Sequence, residues 1–573
     1  MIKVLRYSLL AALLALGAGC SKDKPSDDAA DGTAMLRYIP ADTPYVGATL
    51  QPMPKDIYEA LEPQMDKILR AYADVLRSVV ADMLAKEDNG GKSPEEKAQV
   101  SALVDEFASI LSVDGLKKMG FELNTTGVFF GQGLLPVGRV RLADPAAMET
   151  GIARLEEKAG QKMSVAEIGG QAYRYAGDEK ARLLLALIGD ELVISVVPAQ
   201  ASAETLKAVL GLSLPAKSLA DTGELTEMAK AEGYLLNSVG LVDVRRIVDT
   251  FLEDQGSPNK DLLAAMAYDS STLSDVCRTE IKAMANVMPR MNFGYTRMDT
   301  DQFDARMMME FRSDLAEGMQ KLAAPVPGMG GDMGGLFGFG MSFDLLAARE
   351  FVSTRIAAME AKPYECELFA DLQQSAAAAK EALNQPLPPI VYSIKGFSMV
   401  LESVEGFDMT TKAPPTGADV RGVVAVDNAQ GLLAMGQMFS PELANLNLQP
   451  NGEVVELGSG IVPGVSESIF LAMTDTAIAF SMGEGLEVQL PGMLAAEPAA
   501  PPPLVSMSYD AAAYMNLIGE AMKTGAANKQ NSPAMNESMS AVMDAAGGMM
   551  DRISMDIVLT ERGIEIPYTM TLP

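Results

Sequence analysis

Two patterns of apolar and polar positions alternate along the chain. Short runs such as Tyr45–Leu50 and Glu191–Val197 are apolar, or alternate between apolar and polar residues, which is typical of β-strands. Longer stretches near residues 55–86, 94–112 and 344–383 are typical of helices. Because strand hairpins alternate with helices without a regular strand–helix–strand series, the pattern predicts an α+β fold. We expect mostly antiparallel sheets, each covered by helices.

The order of these elements in the first half of the chain recurs in the second half. The hairpin at 185–197 has a counterpart at 471–482, and the hairpin at 292–311 has one at 553–572. An aspartate follows a strand and would cap the next helix at four matching places, namely Asp144, Asp243, Asp427 and Asp510. Because the matches occur in the same order, they favour a tandem duplication.

A segment rich in glycine, proline and methionine separates the two copies. Pro325–Gly335 reads PVPGMGGDMGG, a composition that sustains neither a helix nor a strand. We therefore expect a first repeat domain at 35–324, a linker at 325–335 and a second repeat domain at 336–573. Each domain would carry its own core, and a protease would cut the linker first.

The N-terminus has the order of parts found in a secretory signal peptide. In residues 1–20 a positive region with Lys3 and Arg6 precedes the apolar run Leu9–Leu16, and three small residues follow. The cysteine directly after them, Cys20, resembles the lipobox of bacterial lipoproteins. That resemblance implies removal of 1–20 and lipidation of Cys20. An ordinary secreted protein that is cleaved nearby is the alternative.

The residues after Cys20 indicate the cellular location of the mature protein. Residues 21–34 are small and polar, and we expect a disordered tether. In bacterial lipoproteins, an aspartate directly after the lipidated cysteine indicates retention in the inner membrane. This chain has Ser21 at that position. We therefore expect the periplasmic face of the outer membrane. No later run reaches about 18 apolar residues, so the N-terminal lipid would be the link to the membrane.

Composition excludes several classes of function. The chain carries 46 Lys and Arg against 76 Asp and Glu, a net charge of -30, which repels nucleic-acid phosphates. It contains no histidine, and so neither a Ser-His-Asp nor a Cys-His nucleophile nor a histidine zinc site can form. Carboxylate-only, lysine-based and metal-carboxylate chemistries remain open.

Two cysteines remain besides Cys20. Cys277 and Cys366 form an even pair in a compartment that would be oxidising, and we predict a disulfide between them. Because they lie on opposite sides of 325–335, that bond would join the two predicted halves. Two separate buried thiols are the alternative.

Two sets of residues resemble fragments of catalytic motifs. Gly90–Ser93 (GGKS) resembles the end of a phosphate-binding loop, but Lys86 occupies the position of the first glycine. Ser257–Lys260 and Lys523–Gly525 spell the S-x-x-K and K-T-G of serine acyl enzymes. We interpret the first as a loop, and Ser257 as an N-cap preceding a helical proline.

Aspartates and methionines are the candidate metal ligands of this sequence. Asp299, Asp301 and Asp304 lie close together, but the fifth position of a calcium loop would be a phenylalanine, and a solvated turn is the better interpretation. The chain has 39 methionines, with triplets at 284, 288, 291 and at 307–309. Thioethers bind Cu(I), but methionine also fills cores and adaptable apolar binding surfaces. We predict no metal and no cofactor.

The start of the folded region carries one short family motif. Leu36–Pro44 contains Pro40-Ala41-Asp42-Thr43 and resembles a group of uncharacterised exported bacterial proteins that open with a "PADT" turn. The group is a domain of unknown function, so the resemblance implies no activity.

The expectation from the sequence is therefore a non-catalytic envelope lipoprotein with no catalytic residues. It would bind or scaffold an unknown envelope protein at the periplasmic face of the outer membrane. The alternative is a periplasmic carrier of an apolar ligand such as a lipid, held between a curved sheet and its helices. A carboxylate-based hydrolase is a remote third hypothesis, because no paired-acid motif supports it.

Overall fold

The structure is a computed structural model that describes residues 32–86, 93–253, 256–405, 417–444, 446–459, 468–523 and 532–573. The chain divides into two compact units. Unit 1 is formed by the described residues of 32–273 together with 289–303 and 532–549. Unit 2 is formed by the described residues of 274–288, 304–523 and 550–573.

The described residues form short strands throughout the chain. These are β1 (Tyr45–Thr49), β2 (Gly127–Gln132), β3 (Leu135–Arg141), β4 (Ser164–Ile168), β5 (Gln171–Gly177), β6 (Ala181–Ile188), β7 (Glu191–Pro198), β8 (Val239–Asp243), β9 (Arg290–Met298), β10 (Gln302–Glu310), β11 (Phe337–Ser342), β12 (Ile394–Glu405), β13 (Gly417–Val426), β14 (Val455–Ser459), β15 (Ser468–Met473), β16 (Ala477–Met482), β17 (Pro503–Asp510), β18 (Arg552–Thr560) and β19 (Gly563–Thr571).

Helices of very different lengths separate the strands. These are α1 (Lys55–Lys86), α2 (Pro94–Ile110), α3 (Val113–Lys118), α4 (Pro145–Ala159), α5 (Ala203–Val209), α6 (Leu219–Thr222), α7 (Glu224–Glu232), α8 (Val244–Leu252), α9 (Asn259–Ala265), α10 (Asp275–Ala285), α11 (Ser313–Met319), α12 (Leu345–Ala361), α13 (Ala370–Leu383), α14 (Pro389–Ser393), α15 (Ala429–Phe439), α16 (Pro441–Ala444), α17 (Leu490–Ala495), α18 (Ala511–Lys523) and α19 (Pro533–Gly547).

Within each unit the strands pair in an antiparallel series, and most of the strand order is shared. In unit 1 the order is β4-β5-β6-β7-β3-β2-β1-β8-β9. In unit 2 it is β14-β15-β16-β13-β12-β11-β17-β18-β19. The series from β5 to β9 in unit 1 matches the series from β14 to β18 in unit 2, strand by strand, whereas β4 and β19 have no counterpart in these two orders. The predicted α+β class with antiparallel sheets is confirmed.

Alternation along the strands of unit 1 gives the sheet two apolar faces. One face buries Val46, Val137 and Val193 against the 3-10 helix Gly32–Tyr38 and α5–α7. On the other face, the end of the sheet near Leu185 and Leu192 packs against α1–α4. Successive side chains of a strand point to opposite faces of the sheet. A strand with an apolar residue at every position can therefore pack against other elements on both faces.

Some helices of each chain half belong to the unit formed mainly by the other half. Helix α19 follows β17 in the chain but packs on α1 in unit 1. The Ser78 and Ser538 hydroxyls are 2.7 Å apart, and the Ser532 N–H donates to the Asp82 carboxylate at 3.2 Å. Helix α10 follows β8 in the chain but belongs to unit 2. The division into compact units therefore differs from a simple split at 325–335.

The glycine-rich segment 325–335 is an ordered part of unit 2, which differs from the expected linker. It contains neither helix nor strand, but Val326 and Met329 are buried with Ala425 of the sheet. The Met333 N–H donates to Ser508 Oγ at 3.1 Å, and the Gly331 N–H donates to the Asp556 carboxylate at 2.9 Å. Two glycines of β11 leave room for this segment, because a built Cβ would lie 2.9 Å from Met333 at Gly338 and 2.9 Å from Met329 at Gly340.

Most of the predicted helix starts are confirmed. The side chains of Asp144, Asp243 and Asp510 accept N–H groups of the helices that follow them. Asp427 was wrongly assigned this role: Asn428 caps α15 by accepting the Gly431 N–H at 2.8 Å. Asp427 instead lies 3.2 Å from the Lys395 ammonium. The stretch predicted as one helix over 344–383 consists of α12 and α13.

A buried ion pair lies within unit 1. The Arg139 side chain is 1% exposed, and its Nε donates to the Glu191 carboxylate at 2.9 Å. The guanidinium also donates to the Leu210 carbonyl at 3.2 Å and lies 3.7 Å from the centre of the Tyr38 ring. Charge, hydrogen bonds and the ring face together compensate the removal of this cation from water.

Candidate functional site

The predicted lipidation site lies outside the described residues. Cys20, the signal peptide 1–20 and residues 21–31 of the tether are not among them. The last residues of the predicted tether are structured, because the 3-10 helix begins at Gly32, whose N–H donates to the Leu50 carbonyl at 2.8 Å. Among the described residues no helix combines the length and the hydrophobicity that a membrane span requires.

The predicted disulfide is confirmed. Cys277 and Cys366 are bonded, with an S–S distance of 2.01 Å and a Cα–Cα distance of 4.8 Å. The Glu280 carboxylate accepts the N–H groups of Glu365 and Cys366, each at 3.0 Å, and fixes the same junction. Both cysteines belong to unit 2, because α10 carries Cys277 into that unit. The bond therefore lies within one unit, which differs from the expected link between halves.

The residues of the catalytic-motif fragments have ordinary structural partners. Gly90–Lys92 and Thr524–Gly525 lie outside the described residues, and Ser93 caps α2. Ser257 is not the predicted N-cap, since α9 begins after Pro258 without a side-chain cap. Its hydroxyl lies 3.3 Å from that of Ser202. These contacts join loops and helix starts, and they assemble no nucleophile with a base.

The aspartates of the β9–β10 turn also have protein partners. Asp299 and Asp301 lie near the Arg297 guanidinium, and Asp304 accepts the Thr569 hydroxyl at 2.8 Å. Across the described residues, no group of three acidic or cysteine side chains is arranged to hold a metal ion. The methionine triplets lie in packed elements: Met284 is in α10, and Met308 of β10 is 2% exposed.

The most unusual surface of unit 1 is the sheet face opposite the core of Val46 and Val137. On this side of the sheet, strand pairing aligns residues in two rows that each cross six strands. We call these two rows apolar face 1. One row is Ile194, Gly138, Phe129, Gly47, Gly240 and Phe293; the other is Val196, Pro136, Gly131, Tyr45, Val242 and Met291. No residue of either row carries a charge.

Part of apolar face 1 is open to solvent. Phe129 is 54% exposed and Val196 is 41% exposed, although both lie on interior strands of the sheet. Phe129 stacks on Tyr45 with ring centres 5.7 Å apart. The Tyr45 hydroxyl donates to the Leu134 carbonyl at 3.1 Å, and burial raises the pKa of this phenol to about 12. The only polar side-chain group of the two rows is therefore already bonded and uncharged.

Unit 2 presents a face at the same place in its sheet, which we call apolar face 2. Its three rows are Phe480, Gly422, Met399, Phe339, Met507 and Met555; Met482, Val420, Leu401, Phe337, Tyr509 and Ile553; and Ile478, Val424, Phe397, Met341, Val505 and Ile557. Met341 and Met399 are each 37% exposed. The region of Val424 and Ile478 is covered by apolar residues of α15. Flexible thioethers and rings dominate this face.

Comparison with known proteins finds no relative of this chain: neither a protein-family model, nor a curated protein, nor a solved structure matches it. The two apolar faces offer extended dispersion contact. Their rows carry no charged side chain, and their hydroxyl groups are those of Tyr45 and Tyr509.

Proposed function

We propose that this protein is a non-catalytic, lipid-anchored protein of the cell envelope that binds apolar ligands of the lipid class on its two sheet faces. The observation that carries the proposal is apolar face 1, two charge-free rows across six strands with Phe129 and Val196 exposed. In a chain with 76 acidic residues, such a surface is an exception that marks a site of interaction.

Hydrogen bonding favours a lipid over a protein as the ligand. Strands β1, β2 and β3 each pair on both sides, and so their backbone groups already bond within the sheet. A peptide laid on this face would find no partners for its own amides, and unpaired amides removed from water are unfavourable. Hydrocarbon chains have no such requirement.

The scaffold hypothesis from the sequence remains the second candidate. Exposed apolar residues also mark protein interfaces, in which an aromatic anchor such as Phe129 is typical. The two candidates differ in what copurifies, since a carrier yields lipid and a scaffold yields a protein partner.

A carboxylate-based hydrolase has less support. A general acid requires a carboxyl group whose pKa is raised. Every described aspartate with a resolved shift has its pKa lowered by hydrogen bonds or ion pairs, as for Asp243 beside Arg245 and Arg246 and for Asp344 beside Lys395. These carboxylates serve as helix caps and salt-bridge partners.

Lipid extraction from purified protein tests the proposed function. The full chain carrying Cys20→Ala would be purified in a mild neutral detergent, so that the lipid found by mass spectrometry does not come from the anchor. We expect copurifying lipid that decreases in Val196→Asp, because a charge on the face opposes an apolar ligand. Val165→Asp is the matched control, since Val165 is an exposed valine on the edge strand β4. Equal lipid in both variants, or none in the parent protein, would contradict the proposal.

The anchor is tested separately by cell fractionation. Cys20→Ala should move the protein from the membrane to the soluble envelope fraction, whereas Ser21→Ala should leave it membrane-bound. We place the anchored protein at the periplasmic face of the outer membrane. Retention of the Cys20→Ala variant in the detergent-only fraction would refute the anchor.

We also propose that the two units are tandem related domains. The support is the shared strand order, in which β1, β2, β3 and β7 occupy the places of β11, β12, β13 and β16. The predicted hairpin pair 185–197 with 471–482 takes part in this correspondence. The hairpin at 292–311 does not support it in the same way, because residues up to 303 belong to unit 1 and residues from 304 belong to unit 2. A crystal structure in which these strands do not superpose would contradict the relationship.

A further inference from the structure

Apolar face 1 has two glycines at the centre of the sheet. Gly47 lies on β1 and Gly138 on β3, and both pair directly with Phe129 on the strand between them. Glycine weakens a strand interior relative to alanine, and in strands it often marks a close approach of a ligand or backbone.

Nothing in the described chain fills the space above these two glycines. A Cβ atom placed on Gly47 or on Gly138 would have no heavy-atom neighbour within 4 Å. Their backbone conformations also require no glycine, because neither has a positive φ. Gly240 in the same row differs, since the Phe293 ring covers it and a Cβ there would lie 2.0 Å from that ring.

The matching positions of unit 2 are filled by the protein itself. Phe339 occupies the place of Gly47, because each lies opposite the residue three positions before the aspartate that caps the next helix. That residue is Gly240 before Asp243 in unit 1 and Met507 before Asp510 in unit 2. Gly422 occupies the place of Gly138, and the Phe480 ring covers it at 2.6 Å from a built Cβ. Only unit 1 leaves both places open.

We infer that the clefts at Gly47 and Gly138 on either side of Phe129 are the binding site for the acyl chains of an envelope lipid. This inference rests on the proposed function and identifies its site and ligand class. At Gly138 the cleft spans two strand spacings, about 10 Å between β2 and β7, with Phe129 and Ile194 as its walls. Dispersion contact with the backbone floor and these two walls would hold a methylene chain.

Charge and reach agree with this ligand. The rows carry no charged side chain and no unbonded donor, which complements an uncharged hydrocarbon chain. The described chain begins at Gly32, where a built Cβ would lie 2.9 Å from Thr126, the residue before β2. Gly32 is 12 residues after Cys20, a span of at most about 40 Å. An anchor at Cys20 would therefore keep the clefts close to a source of lipid.

Filling the clefts tests the inference without adding charge. In the full chain carrying Cys20→Ala, with detergent removed, Gly47→Val and Gly138→Val would be titrated with a fluorescent long-chain fatty acid. Each valine places three carbons where the ligand would lie, so we expect each variant to lose at least about tenfold in affinity. Gly256→Val is the matched control, because this glycine also has open space but lies in a loop outside the face.

Folding is checked on the same samples. Valine favours strands, and so hydrogen exchange in peptides covering β1 and β3 should show protection equal to or above that of the parent. If a valine variant fails to fold, Gly47→Ala and Gly138→Ala replace it, since each adds only the Cβ for which space is shown. A smaller but measurable loss of affinity is then expected.

The outcomes separate the inference from the proposed function. If the parent binds the probe and the glycine variants bind it equally well, the clefts are not the site, although lipid binding stands. If the parent does not bind the probe, both proposals fail. If the variants keep the fatty acid but lose a crosslinked protein partner, the clefts receive a protein side chain and the inference is overturned.

Discussion

Replacing Glu191 by glutamine should leave a positive charge stranded inside unit 1. The Arg139 side chain is 1% exposed and that of Glu191 is 15% exposed. Breaking a buried ion pair by removing one partner destabilises a protein by about 3–5 kcal/mol. Glutamine still accepts a hydrogen bond, and the Leu210 carbonyl and Tyr38 ring remain beside the guanidinium. We therefore expect the lower end, about 3 kcal/mol.

Hydrogen exchange read by mass spectrometry is the appropriate assay. A chain of two units does not unfold in one step, and so a single melting curve would mix their transitions. Exchange in peptides covering β3 reports the opening free energy of the strand that carries Arg139. Glu59→Gln is the matched control, because Glu59 pairs with Lys55 at 3.9 Å on the surface of α1. Its expected effect is below about 1 kcal/mol.

A double variant separates the charge effect from packing. Arg139→Met with Glu191→Gln removes both charges, and most of the lost protection of β3 should return. The reasoning would be refuted if Glu191→Gln alone changed the opening free energy no more than the surface control does.

Three further predictions concern unit 2. Cys366→Ser should lower its stability by up to about 4–5 kcal/mol, because the disulfide closes a loop of 89 residues; unchanged urea unfolding would contradict this. A broad-specificity protease should cut segment 325–335 later than exposed loops, because Val326 and Met329 are buried; early cleavage there would show that the segment is detached. The Arg312 and Arg355 guanidinium groups lower the pKa of Asp314 to about 2, so its contribution to stability is complete above 3.8 and is lost as pH falls through about 2. Arg355→Gln should raise that pKa and move acid unfolding to higher pH, and an unchanged acid midpoint would refute the assignment.

Local patterns predicted the elements well. The hairpin at 185–197 is two apolar runs around a Gly-Asp turn and corresponds to β6 and β7, and the one at 553–572 corresponds to β18 and β19. Aspartates such as Asp144 cap helices because a short carboxylate reaches free N–H groups within the same turn. These features depend on neighbours a few residues apart in the chain, and such interactions are visible in a sequence.

Features that depend on distant partners were not predicted. Segment 325–335 has the composition of a linker, but small residues contributed by remote strands make a place for it in unit 2. The assignment of α10 to unit 2 and of α19 to unit 1 likewise depends on tertiary packing alone. A disulfide between Cys277 and Cys366 could be predicted, but not that both ends lie in one unit.

One part of apolar face 1 has a recognisable sequence pattern. Gly127, Phe129 and Gly131 occupy alternate positions of one strand, and period two places them on one side of the sheet. Neither glycine places a side chain beside the Phe129 ring, although both positions are closely packed: a built Cβ would lie 3.0 Å from the Val140 side chain at Gly127 and 2.3 Å from the Gly133 carbonyl oxygen at Gly131. Knowing which strands adjoin this strand requires the sheet order, and the sequence alone does not provide that order.

The position of α19 has a consequence for how the protein is made. Synthesis from the N-terminus delivers α1 early, whereas Pro533–Gly547 is among the last residues to be made. The surface of α1 that α19 covers therefore stays exposed throughout most of synthesis, when partly folded chains are prone to aggregate. A product shortened by premature termination would lack this helix and leave the earliest unit unfinished. Such a product would be a substrate for chaperones and proteases even though every residue of its first 300 is intact.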